Sequence, residues 1–242
     1  MMRSLQPPLL LCGLFCMHDG IAQQEMQDEP RWGGSAEFGF LSTSGNSNTE
    51  TINFSFDYGK DGHSWRHSLH LEGFNSASEE QRTAERYLGY WQSNLKIDEG
   101  HSLFFRLQYE EDKFGNYSSQ WTLTSGYGNR IINTDKNILD LELGPGFRRS
   151  QLAKSGDYED EAVVRLAGNY KWTISEYSAF GQLLSVEEGT DNTIIRSNTS
   201  LTAGINSFFS LSLSYEIRWT RDVEPEKTNY DRETRVGVLF SW

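Results

Sequence analysis

The stretch Glu233-Thr234-Arg235-Val236-Gly237-Val238-Leu239-Phe240-Ser241-Trp242 decides how this chain is read. Successive side chains of an extended strand point to opposite faces. Thr234, Val236, Val238, Phe240 and Trp242 then share one face, and Glu233, Arg235, Gly237 and Ser241 the other, with Leu239 the single apolar residue there. An apolar alternation closed by a terminal aromatic is the form of the last strand of an outer-membrane barrel, with its apolar face in lipid and its polar face in the lumen. The alternative is the final strand of a soluble sandwich, and the rest of the chain decides between them.

The first residues have the form of an export signal. Arg3 supplies a positive start, Leu9 to Met17 an apolar core interrupted by Gly13, and Gly20-Ile21-Ala22 a small-x-small cleavage site. Residues 1–22 therefore read as a signal peptide, 23–31 as a short polar periplasmic tail carrying Glu25, Asp28 and Glu29, and 32–242 as the barrel. The apolar run is far shorter than the ~20 residues of a spanning helix. Bulky Leu11 before Cys12 argues against a lipoprotein signal. Cys12 and Cys16 both fall inside the signal, so the processed chain is expected to lack thiols, disulfides and Cys-ligated metal.

The net charge of -12 survives processing, because the signal removes one base, Arg3, and one acid, Asp19. A chain this acidic, without a basic patch, is a poor nucleic-acid binder. Mean hydropathy is -0.62. That is no argument against a membrane barrel, which offers only alternate residues to lipid.

From Trp32 onward period-two alternation recurs, broken at turn residues. Trp32, Ala36, Phe38 and Phe40 form the first outward set, and Ile52, Phe54, Phe56 and Tyr58 the second. Later sets are equally regular: Leu103, Phe105, Leu107 and Tyr109; Leu139, Leu141, Leu143, Pro145 and Phe147; Phe209, Leu211, Leu213, Tyr215, Ile217 and Trp219. The sets amount to about twelve strands, an even number as a closed antiparallel barrel of this type requires. The fold class is all-β, a transmembrane antiparallel barrel of the outer-membrane type.

The connections give an orientation. Short turns (59–62, 97–100, 133–136, 175–177 and 206–207) alternate with longer polar loops (42–48, 75–82, 112–119, 149–159, 187–192 and 221–229). Short turns face the periplasm and long loops the exterior. Aromatics then sort into two bands. Trp32, Tyr58, Trp65, Trp172, Phe209 and Trp242 lie near the periplasmic ends, and Phe40, Tyr87, Tyr109, Trp121, Phe147 and Trp219 near the outer ends. These are the two interfacial girdles of a membrane barrel, which a soluble sandwich has no reason to build. Pro145, between Gly144 and Gly146, cannot donate to a ladder and is expected to mark a bulge.

Gly39-Phe40-Leu41-Ser42-Thr43-Ser44-Gly45-Asn46, Ala84-Glu85-Arg86-Tyr87, and 141–150 (LELGPGFRRS), with Ser185 to Thr193 and Leu213-Ser214-Tyr215-Glu216, resemble the salt-induced, YdiY-like outer-membrane proteins, a family otherwise catalogued as a domain of unknown function. The resemblance spans nearly all of the processed chain. It implies an outer-membrane barrel of a Gram-negative bacterium, linked by name to salt or acid stress. It brings no catalytic residues to transfer.

Inward positions toward the outer mouth are crowded with charge: Glu72, Arg86, Glu110, Glu142, Arg148, Glu161, Arg165, Glu187, Arg196, Glu216, Arg218, Glu233 and Arg235. As a selectivity ring with a slight acidic excess, they fit a small channel for ions or small polar solutes, preferring cations. As interlocked cross-strand pairs, they fit a closed structural or surface-interaction barrel. Barrel size leaves both open, since about eight strands are filled by side chains and about sixteen hold water. The channel is the leading expectation.

An outer-membrane hydrolase is the third class. Its candidates are His63 and His101 beside short turns, lipid-facing His67 with Ser93 as the nearest partner, and inward His70 beside Glu72. None has a visible nucleophile, base and orienting group together, so no enzyme is expected. Asp157, Glu159, Asp160 and Glu161 are acidic but lack ligand spacing, and no metal or cofactor is expected. The expected partners are outer-membrane lipid, the barrel-assembly machinery through the strand ending in Trp242, and ions or small solutes. The expected location is the cell outer membrane.

Overall fold

The computed structural model describes residues 31–43, 48–79, 81–223, 225 and 227–242, so the expected signal peptide and nearly all of the tail lie outside the described residues. Twelve strands follow one another: β1 (Arg31–Thr43), β2 (Thr49–Asp61), β3 (Trp65–Ser78), β4 (Gln81–Lys96), β5 (His101–Asp112), β6 (Tyr117–Asn133), β7 (Asn137–Leu152), β8 (Tyr158–Ser175), β9 (Ser178–Gly189), β10 (Thr193–Gly204), β11 (Phe209–Thr220) and β12 (Tyr230–Ser241). Each pairs antiparallel with the next, and β1 pairs with β12 to close the barrel. Closure matters in lipid, because an open sheet edge leaves N–H and C=O groups with no water to receive them.

The burial pattern is inverted relative to a soluble protein. Trp121, Leu143, Phe147, Leu166, Leu213 and Val236 stand exposed on the outer wall, while the buried residues are mainly polar or charged. Alternation along each strand produces this. In β11, Leu211, Leu213 and Tyr215 face out, and Ser212, Glu216 and Arg218 face in. Apolar side chains lose nothing by facing hydrocarbon, and the polar ones are kept where they meet each other. Trp32, Trp65, Trp172 and Trp242 are exposed at the end that carries Arg31 and Trp242, the terminal end, and Phe40, Tyr87, Trp121 and Phe147 at the distal end. Aromatic girdles thus bound both rims of the outer wall.

Two expectations need correction. Two of the long polar loops, 75–82 and 149–159, are mostly strand: β3 runs through Ser78 and β4 begins at Gln81, and β7 reaches Leu152 before β8 starts at Tyr158. Polar residues near the distal rim continue the ladder above the girdle, where alternation no longer has an apolar face to show, so composition hides them. Among the distal connections 221–229 is the longest.

Pro145 marks no bulge. It sits opposite Val164 on β8, and toward β6 the pairs Thr124↔Gly146 and Tyr127↔Leu143 keep one register, with the stretch between left out of the ladder. The missing N–H is accommodated by that gap. The bulges next to β6 lie at its ends, between Tyr117/Ser119 and Arg130/Ile132. The neighbouring glycines explain the wall here. A Cβ on Gly144 would come within 2.1 Å of Ser125 O, and one on Gly126 within 2.2 Å of Leu143 O. The two backbones approach more closely than side chains allow.

The closing seam is short. The β1–β12 ladder runs from Ser35↔Ser241 to Phe38↔Val238, extended by mutual backbone hydrogen bonds of Gly34 and Trp242. Distal to Phe38, the described residues of β1 have no ladder partners on β12.

Candidate functional site in the lumen

All the inward charges named above lie in the distal half of the lumen or at its middle, in a lattice made of two ion-pair networks, one around Arg86 and Arg235 and one around Glu110 and Glu187. Arg86 on β4 and Arg235 on β12 share three glutamates. Arg86 reaches Glu233 at 2.9 Å and Glu216 at 3.0 Å, and Arg235 reaches Glu72 at 2.7 Å, Glu233 at 2.8 Å and Glu216 at 2.9 Å. Arg218 on β11 donates to Glu110 on β5, to Asp112 at 2.5 Å and to Asp231 at 2.8 Å. Arg196 on β10 donates to the other oxygen of Glu110. Farther round, Arg148 holds Glu161 at 2.7 Å and Arg165 holds Glu142 at 3.0 Å. Arg148, Arg165 and Arg196 surround Glu187 at 3.5, 3.9 and 3.7 Å.

Ring order gives these contacts their meaning. In a closed ring of twelve strands, β5 and β11 are diametrically opposite, so the Arg218–Glu110 bond crosses the lumen. Arg196–Glu110 spans from β10 to β5, and Arg86–Glu216 from β4 to β11. The lattice fills the section it occupies: Glu110 and Glu187 are each 2% exposed and Arg148 1%. Coulomb attraction is strong where water is excluded, and each carboxylate here has a cation to offset its desolvation.

Several members of this arrangement were invisible to sequence reasoning. Asp112 and Asp231 sit one alternation step from Glu110 and Glu233 and join the cluster at Arg218. Asn192, 1% exposed, ties the distal connections together. Its Nδ2 donates to Tyr117 Oη and to Asp222 O, its Oδ1 accepts from Asp222 N, and its own carbonyl accepts from Arg148. Polarity alone marks such a residue as loop. Only the convergence of three connections shows its role. Among inward positions Leu88, Phe104, Val163, Ala167 and Ile194 are buried and apolar, so the lumen wall is less uniformly polar than alternation implied.

Above the lattice, at the distal mouth, a cavity of about 240 Å³ is lined by Glu110, Asp112, Phe114, Tyr117, Gln120, Arg218, Lys227 and Asp231, with their neighbours. At the rim the carboxylate of Glu85 holds the Lys113 ammonium above its ordinary range. Below the lattice the inward residues of β9 to β11 are small and polar, Ser210, Ser212 and Ser214 on β11, Ser200 and Thr202 on β10 and Gly181 on β9, whereas the facing wall carries the larger groups Gln92, Phe104, Arg106 and the Arg130–Asp140 pair. The lumen is therefore a polar vestibule along β9 to β11 on the terminal side and a filled section on the distal side.

The histidines separate by side of the wall. His70 Nδ1 is 2.7 Å from Asp57 and its Nε2 3.4 Å from Glu72, which links it to the Arg235 cluster. His67 faces outward, bonded through Nδ1 to Ser93 Oγ at 2.6 Å and stacked between Trp65 and Trp91. Its Nε2 has no partner among the described residues. His101 bonds Tyr127. The acidic run at 157–161 is split by alternation: Glu161 turns in to Arg148, and Asp160 turns out to Arg149. Among the described residues no three His, Cys, Asp or Glu side chains converge as metal ligands do.

The family model described as "Protein of unknown function, DUF481" matches residues 36–242. The uncharacterized protein YdiY of Escherichia coli (strain K12) is 26% identical over 211 residues, 86% of this chain and 82% of that protein. Among solved structures, the NanC porin superposes with a TM-score of 0.52 at 12% identity, over 86% of this chain and 98% of its own. The translocator domain of the autotransporter NalP from Neisseria meningitidis gives 0.50 at 10% identity, over 87% and 88%. At such identities these likenesses establish the fold, an outer-membrane barrel.

Proposed function

The chain belongs to the family described as Protein of unknown function, DUF481, and on that premise, which assigns no activity, we propose that it is an outer-membrane barrel closed to ion flow. In this reading the termini face the periplasm, the polar vestibule opens there, and the Arg/Glu lattice seals the outer half. One observation carries it: both oxygens of Glu110 are bonded to arginines from the far side of the lumen, Arg218 and Arg196. A selectivity ring leaves its charges facing a water column, whereas these face each other. The cation-preferring channel, the leading expectation from sequence, is therefore placed second. Buried pairs are screened little by salt, so such a seal holds across wide changes of ionic strength. That is the physical content we give to the salt-stress link of the resemblance. We read no enzymatic role, since the His67–Ser93 pair has no third group to orient it.

The test is single-channel recording of the folded barrel in a planar bilayer under asymmetric salt. A silent bilayer, from protein shown to be inserted and folded, is the expected result. Discrete cation-preferring steps that weaken in Glu142→Gln or Glu216→Gln would overturn the seal and restore the channel.

A further inference from the structure

Arg106 stands apart from the lattice. Among the described inward arginines it is the one without a carboxylate partner. It lies on β5 and is 9% exposed. Its guanidinium lies 3.5 Å over the Tyr90 ring, Nη1 donates to Gln92 Oε1 at 3.2 Å, and Nη2 donates to Gln108 Oε1 at 2.9 Å. These contacts satisfy hydrogen bonds but supply no net negative charge. The nearest route to one is indirect: Gln92 donates to Glu142, which Arg165 already engages. A buried cation without a counter-charge is costly, which is why the other lumen arginines are paired.

The atoms left over point to what completes the site. Arg106 Nε is buried and has no partner; the Nε atoms of Arg165, Arg196 and Arg235 are in the same state, but those guanidiniums have carboxylates on their other nitrogens and Arg106 has none. Thr124, its cross-strand neighbour on β6, is 1% exposed, and its Oγ1 is likewise buried without a partner. The Thr124 methyl occupies the space over Gly146, where a Cβ would come within 2.5 Å of it. Gly126, Gly144 and Gly146 place no side chain on the adjoining lumen wall. An N–H on a cation and an O–H thus lie on neighbouring positions beside a wall bare of side chains. Both can donate, and neither has an acceptor.

We propose that Arg106 and Thr124 bind a small inorganic anion of the chloride class. A water molecule can accept the two hydrogen bonds but leaves the guanidinium charge unbalanced. A phosphate or sulfate calls for more donors than the two present, whereas a halide is satisfied by them. The site adjoins the lattice through Gln92 and Glu142, and the inference does not depend on whether the lumen conducts, because it rests on Arg106 and Thr124 alone.

The test uses the mature barrel refolded in detergent. Crystals soaked in bromide are expected to show an anomalous peak within hydrogen-bond reach of Arg106 Nε and Thr124 Oγ1. Thermal midpoints measured in chloride and in gluconate at equal ionic strength are expected to differ by a few degrees, saturating with chloride as binding to the folded state alone requires. Arg106→Gln should abolish that difference. Thr124→Val, which keeps the charge, should lower bromide occupancy severalfold and serves if Arg106→Gln does not refold. Water alone at Arg106 in the bromide crystals, or a chloride-specific shift that persists in Arg106→Gln, would overturn the proposal.

Discussion

Replacing Glu110 by Gln tests the lattice at the carboxylate that receives two arginines from across the lumen. The carboxylate is 2% exposed and accepts from Arg218 and Arg196. Gln keeps the shape and one acceptor but removes the charge. Arg218 retains Asp112 at 2.5 Å and Asp231 at 2.8 Å, while Arg196 is left with Glu187 at 3.7 Å. Breaking a buried pair by removing one partner costs about 3–5 kcal/mol. The surviving partners of Arg218 put this variant at the lower end, about 3 kcal/mol, or roughly a hundredfold in the folding equilibrium. The assay is urea-dependent folding into vesicles, followed by tryptophan fluorescence and by the mobility of the folded band. Adding Arg196→Gln to Glu110→Gln should cost less than the sum of the two single changes, with a coupling of about 1–3 kcal/mol. A Glu110→Gln barrel within about 0.5 kcal/mol of the parent, or a cycle with no coupling, would mean that the carboxylate faces water, and the account of a sealed section would fail.

Three further outcomes follow from the geometry. Gly144→Ala should sharply lower refolding yield, because its Cβ would lie 2.1 Å from Ser125 O, whereas Gly59→Ala, with nothing nearer than 3.9 Å, should refold like the parent; equal yields would show that the β6–β7 approach is not required. Asn192→Ala removes the bonds to Tyr117 and Asp222 at a cost of about 1–3 kcal/mol for buried groups left unpaired and should raise amide exchange at Asn116 to Tyr117 and Arg221 to Val223. At the 97–100 turn, Asp98 accepts from the backbone N–H groups of Gly100 and His101 at 2.8 Å each, which holds its carboxyl below the ordinary 3.8. A depressed folded pKa means that this contribution is present above the unfolded value and is lost as pH falls through the folded one. The protection of these two amides over Asp98→Asn should therefore vanish at low pH, and an advantage constant with pH would refute the cause given.

The twelve strands were legible because lipid on one side and polar side chains on the other impose period-two alternation on every segment. The terminal set Val236, Val238, Phe240 and Trp242 was enough to suggest it. Where lipid ends, the signal ends, which is why Asn75 to Ser78 and Arg149 to Leu152 read as loop while belonging to β3 and β7. The inward charges were also legible, because alternation assigns a face to each. Their pairing was not. Arg218 and Glu110 are 108 residues apart, and whether two inward charges meet depends on ring order and stagger, which no local pattern encodes. Arg106 shows the same limit from the other side: as an inward arginine it resembles its neighbours in sequence, and only the contacts reveal that it lacks an acid.

The placement of the lattice also answers a difficulty created by the closing seam. Beyond Phe38, β1 has no ladder partners on β12 among the described residues, yet a barrel in lipid cannot leave a strand edge unsupported. The side chains that flank this gap are those with the longest sequence separation. Arg235 on β12 bonds Glu72 on β3, 163 residues away, and Arg86 on β4 bonds Glu233 on β12, 147 residues away. Both contacts pass inside β1 and β2 and tie the last strand to the wall beyond the gap. Backbone bonds hold the terminal half of the seam, and ion pairs across the lumen hold the distal half. Charges suit this position better than apolar residues. Before closure each inward face must stay compatible with water, and charged faces do so, whereas exposed apolar ones promote aggregation. Pairs between neighbouring strands, such as Arg148–Glu161 and Arg165–Glu142, form in a partial sheet, but Arg235–Glu72, Arg86–Glu233 and Arg218–Glu110 meet only when the ring closes, so this part of the lattice rewards closure.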